Sequence, residues 1–95
     1  MNQALNEEQL RVTSIPHSSA RLVIFTGIPL KRDSYRINSG KYYVTVKANP
    51  DSLPAQPSVG QHWSVVGLRS VAEVSHGDYL MQQHIYENPE KIECQ

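Results

Sequence analysis

The chain has 95 residues with nine basic and nine acidic side chains, so it is neutral overall and long enough for one domain at most. Its apolar fraction of 39% and mean hydropathy of −0.46 fit a soluble globular domain, and no run approaches the ~20 apolar residues of a membrane-spanning helix. The neutral balance argues against a strongly basic nucleic-acid binder. A single cysteine, Cys94, excludes an internal disulfide and makes a reducing, cytoplasmic setting the default. The first residues, Met-Asn-Gln-Ala-Leu-Asn-Glu-Glu, have neither the basic nor the apolar region of a secretory signal.

In chain order, residues 1–19 read as an N-terminal tail or a short docked helix. The segment 2–11 is polar, with only Ala4, Leu5 and Leu10 apolar, and a helix that short is marginal by itself. A β-domain is expected over 20–95. Arg21-Leu22-Val23-Ile24-Phe25-Thr26 is the first clear strand, apolar on both faces and therefore expected to be central or strongly curled. Gly27 and Pro29 interrupt the strand's continuation, as at a bulge or bend. The basic run Lys31–Arg36 leads to the turn Asn38-Ser39-Gly40 and then to the alternating strand Lys41–Ala48. Tyr42, Val44, Val46 and Ala48 share its core face; Lys41, Tyr43, Thr45 and Lys47 share the other.

Residues 49–58 carry Pro50, Pro54 and Pro57 and form a loop. His62–Leu68 is the third strand, with Trp63 and Val65 on one face and His62, Ser64 and Val66 on the other; residues 69–75 extend it. His76-Gly77-Asp78 is a turn, 79–86 a fourth strand, Asn88-Pro89 a break, and 92–95 a last short strand. The chain is therefore expected to be all-β. A small five-stranded OB-like barrel, with or without the short N-terminal helix, is the economical way to limit exposed edges.

The residues offer little to catalysis. No phosphate-binding or dinucleotide-binding glycine motif is present, and His17, His62, His76 and His84 do not fall at metal-ligand spacing. A three-histidine site of His62, His76 and His84 is a remote alternative, and Cys94 near a chain terminus lacks the support a nucleophile needs. Neither enzyme activity, a cofactor nor a metal is expected. Charge is segregated, however. Residues 11–47 hold seven cations against one acid, a net +6, whereas residues 73–93 carry −4. Lys31, Arg32, Tyr35, Arg36, Lys41, Tyr43, Thr45 and Lys47 then form a candidate surface for single-stranded nucleic acid, in which cations track the backbone and tyrosines stack on bases. The competing reading is an ordinary solvent face whose lysines keep a strand edge soluble.

The order of these features resembles the N-terminal β-domain of RecD-like superfamily 1 DNA helicases. The features are the strand Leu22–Phe25, the turn and strand Ser39-Gly40-Lys41-Tyr42-Tyr43-Val44-Thr45-Val46, and Gly60-Gln61-His62-Trp63-Ser64-Val65-Val66-Gly67. Val71–Val74, His76-Gly77 and Leu80–Glu87 complete them. The resemblance covers about three quarters of the chain and implies an OB-type barrel placed before a helicase core that carries the ATPase motifs. It implies a non-catalytic accessory domain that binds weakly and electrostatically to single-stranded nucleic acid, with a helicase core as partner in the same polypeptide and no membrane association. No contact residue carries over from the family one by one. A protein-interaction or bracing module, using the acidic 73–93 half or an unpaired sheet edge, is the alternative.

Overall fold

A computed structural model describes residues 5–30 and 42–95. The fold is all-β, with seven strands among the described residues: β1 (Asn6–Ser18), β2 (Val23–Pro29), β3 (Tyr42–Ala48), β4 (His62–Gly67), β5 (Arg69–His76), β6 (Tyr79–Glu87) and β7 (Lys91–Cys94). One 3₁₀ turn, Pro50–Ser52, comes after β3; the Asn49 side chain caps it by accepting from the Asp51 N–H. Among the described residues no helix is long and apolar enough to cross a membrane.

The strands form a single sheet in the order β5-β6-β3-β2-β1-β4-β7. β1, β2 and β3 are an antiparallel meander. β6 runs parallel to β3, pairing Tyr42 with Gln82 through Lys47 with Glu87. β4 pairs antiparallel with the first half of β1, Leu10 opposite Trp63. Among the described residues the expectation of five strands is corrected to seven, and no ladder joins the two edge strands β5 and β7. One additional strand arises because the third expected strand is divided at Leu68 into β4 and β5, which lie five places apart in the sheet order.

The other is β1, and here the expected tail or helix is wrong. From residue 8 the sequence alternates with period two. Glu8, Leu10 and Val12 are buried while Glu7 and Arg11 are exposed. Pairing with β2 on one side and β4 on the other satisfies the backbone of this polar segment, which no local propensity demanded. Register shifts between Val12 and Ser14 and between Ser14 and His17 let the strand bend as it crosses from one partner to the other.

The sheet curls. Phe25 on β2 and Trp63 on β4 are not on neighbouring strands, yet their rings pack 5.2 Å apart at 49° across the interior. With Leu10, Val12, Val44, Val46, Val65 and Tyr86 they fill a core closed to solvent. The expected core face of β3 is confirmed: Tyr42, Val44, Val46 and Ala48 are all buried. One corner holds the curl together. β4 passes to β5 through Leu68 alone, and the same place receives the β6–β7 connection. A side-chain carbon at Gly67 would stand 3.0 Å from the Pro89 Cα, so glycine permits the two crossings to touch. Asn88, at φ 46°, turns the chain there while its N–H donates to the Lys47 carbonyl at 2.8 Å.

Candidate functional site

The outward side of β3 carries the part of the expected nucleic-acid surface that falls on described residues. Tyr43 and Lys47 are half-buried on that side. Lys47 lies in a row with Ile24 of β2 and His17 of β1, and on its other flank it meets Glu87 of β6. Tyr43 lies beside Gln83 of β6. Thr45 is a correction. It is 2% exposed, and its hydroxyl accepts a 2.8 Å bond from Gln83 Nε2, so it holds β3 to β6 and is not available to a ligand. The reason is position: β3 is an interior strand, and the neighbours β2 and β6 cover its middle residue. Lys31, Arg32, Tyr35, Arg36 and Lys41 lie outside the described residues.

Other cations among the described residues are spread over the molecule. Arg11 is exposed on the outward side of β1, Arg21 sits in the β1–β2 connection, and Lys91 pairs with Glu93 at 3.3 Å on β7. Among the described residues, the row His17–Ile24–Lys47 brings one cation and one histidine of the basic half of the sequence together, while Arg11 lies farther along β1, between Ile28 and His62. The three-histidine site does not form. His62 is exposed on the outward side, whereas His84 is buried in the interior. Among the described residues no three metal-ligating side chains converge.

A group that residue-by-residue reading misses lies inside the curl. Glu8 of β1, Tyr42 of β3, and His84 and Tyr86 of β6 are each at most 6% exposed. The Tyr42 hydroxyl donates to Glu8 Oε2 at 3.5 Å, and Glu8 Oε1 faces His84 Nδ1 at 3.9 Å. The His84 ring stacks on Tyr42 at 4.0 Å and 18°. His84 Nδ1 and the Tyr86 hydroxyl have no hydrogen-bond partner among the described residues. Burial, reinforced by the Glu8 charge, pushes both phenols up to about 12; the cation of Arg69, opposite Tyr86 on β5, works against this. This closure keeps a substrate from the four groups. They tie β1, β3 and β6 together by polar contacts across the core. A sequence signal existed: Glu8 shares the period-two face of Leu10 and Val12, an unusual place for an unpartnered carboxylate.

A cleft of about 300 Å³ opens at the end of the sheet between the β1–β2 connection and the proline-rich loop, lined by Ser18, Ser19, Val23, Pro50, Leu53 and Pro57. Comparison with protein-family models, with curated proteins and with solved structures finds no match for this chain.

Proposed function

We propose that the chain is a non-catalytic accessory domain of a DNA helicase, built as an OB-like barrel, which positions single-stranded nucleic acid on the outward β2–β3 surface. The sequence resemblance supports the helicase context. The pairing pattern supports the barrel. β4 and β5 are read as one strand bent at Leu68, paired with β1 in its first half and with β6 in its second. On that reading, counting β4 and β5 as one element and leaving β7 aside, the circuit β1–β2–β3–β6–β5/β4–β1 corresponds to a five-stranded barrel with β6 parallel to β3. Barrels of this type bind oligonucleotides on the face of strands 2 and 3 and on the adjoining loops.

The observation that carries the reading is Tyr43 and Lys47 two positions either side of Thr45 on that face, one able to stack on a base and the other to meet a phosphate. Lys31, Arg32, Tyr35, Arg36 and Lys41 belong to the segment between β2 and β3 and would extend the contact. Anisotropy of a labelled oligo-dT at low salt tests it. Tyr43→Ala is expected to weaken binding by the ~1–3 kcal/mol of one stacked base. Lys47→Ala is expected to reduce the slope of log K against log salt by about 0.7. Absence of binding at low salt, or binding indifferent to both substitutions, refutes the reading.

A protein-interaction module is the second reading. Two observations favour it: Lys47 is flanked by Glu87, and β5 offers a sheet edge with no partner strand among the described residues.

A further inference from the structure

β5 is bonded to β6 along its whole length, from Arg69 opposite Tyr86 to His76 opposite Tyr79. Its other side carries no ladder among the described residues. An eight-residue edge strand is long, and natural proteins usually protect such an edge with proline, charged side chains or a bulge. The sequence Arg69-Ser70-Val71-Ala72-Glu73-Val74-Ser75-His76 has neither proline nor lysine and its register against β6 is unbroken; its protection rests on Arg69 and Glu73, one charge of each sign, on the side of the sheet that carries Tyr86 and His84. The opposite edge, β7, has only four residues and carries the Lys91–Glu93 pair.

We propose that β5 pairs antiparallel with β5 of a second copy, about a twofold axis at Val71. This rests on the second reading above and names its partner. The sequence of the edge is self-complementary in that register. Arg69 of each copy falls opposite Glu73 of the other, Ser70 opposite Ala72, and Val71 opposite itself. Arg69 and Glu73 are both exposed, and Val71 is 51% exposed on the same side of the strand. Opposite charges directly across a ladder stabilise it, and like charges there destabilise it. Continuing the pairing by one residue sets Leu68, 52% exposed, against Val74. Moving the axis by one residue along the strand to Ala72 places Arg69 opposite Ser75 and Val71 opposite Glu73, so only the Val71-centred register joins the two charges. Isologous pairing of this kind closes at two copies.

Sedimentation equilibrium of the whole 95-residue chain over a wide concentration range tests the pairing. A reversible monomer–dimer equilibrium is expected. Glu73→Arg and Arg69→Glu, each alone, turn both cross-strand pairs into repulsions and should raise the dissociation constant about tenfold or more. Mixing the two variants should produce a heterodimer, because each then supplies the charge that the other lacks. The double variant, Arg69→Glu with Glu73→Arg, should restore the self-association. Circular dichroism of each variant separates loss of pairing from loss of fold; if Arg69→Glu unfolds the protein, Glu73→Arg alone, which leaves Arg69 in place, still reads the pairing through its own loss of self-association. A chain monomeric at every concentration, or a dimer indifferent to the charge exchange, overturns the proposal. Oligo-dT binding measured on the same variants separates the two readings: dimerisation without binding refutes the nucleic-acid surface alone, and binding by a monomer refutes the pairing alone.

Discussion

Raising the pH should unfold this protein through two side chains in its interior. Tyr42 and Tyr86 keep their protons up to about pH 12, against an ordinary phenol value of 10.0, because burial and the nearby Glu8 carboxylate oppose a second negative charge. Below about pH 10 the phenols are protonated in the folded and unfolded chains alike, and their contribution to stability is fully present. Between about pH 10 and 12 the unfolded chain releases its protons while the folded chain does not, so the unfolded state gains. A rise from 10.0 to about 12 corresponds to a loss on the order of 3 kcal/mol for each tyrosine, the two contributions being coupled through their mutual repulsion. Together they are a large part of a small domain's entire stability. Urea midpoints monitored by Trp63 fluorescence should be flat with pH up to about 10 and then fall steeply, with tyrosinate absorbance from these two residues appearing together with unfolding. Replacing both by phenylalanine should remove most of the alkaline loss. Titration of Tyr42 and Tyr86 themselves near pH 10 with the fold intact, identified by comparison with the Tyr42→Phe and Tyr86→Phe variants, would refute the account of the interior.

Three further substitutions probe the same structure. Tyr86→Phe should change stability in urea unfolding at neutral pH by no more than about 1 kcal/mol, because the buried hydroxyl it deletes makes no well-formed hydrogen bond among the described residues and has only a weak interaction with the Arg69 side chain at the sheet edge. Thr45→Val should cost about 1 kcal/mol, since it leaves the Gln83 amide without its acceptor between β3 and β6; a double-mutant cycle with Gln83→Ala measures the coupling. Gly27→Ala should destabilise by about 1–3 kcal/mol or more, because the new methyl would press into the Arg11 carbonyl of the adjoining strand and force β1 from β2; thermal unfolding reads it directly.

Strands with strong alternation were legible in the sequence. The inward set of β3, the Trp63 and Val65 face of β4, and the break at Asn88-Pro89 all derive from residue type and parity. β1 was not, because its first half is polar and its pairing partners lie far along the chain. A period of two across Glu8, Leu10 and Val12 was present, but the polar composition around it masks so short an alternation. The parallel pairing of β3 with β6 has no local signature at all. Of the proposed contact residues, Tyr43 and Lys47 keep the side that parity gives them. Thr45 has that side too, yet is covered, because parity says which way a residue points and not how closely the neighbouring strands crowd it. The buried quartet joins residues from positions 8, 42, 84 and 86, a convergence made by topology.

β1 also determines what a usable fragment must contain. Among the described residues its two ladders join β2 to β4, and so hydrogen-bond the side of the sheet built from β2, β3, β5 and β6 to the side built from β4 and β7. A truncation beginning at residue 20, where the sequence suggests that the domain starts, would expose facing edges of β2 and β4 and remove Glu8, Leu10 and Val12 from the interior. Such a fragment would display two open templates for strand addition, and its aggregation would report on the cut and not on the protein. An expression boundary for this domain belongs upstream of Asn6.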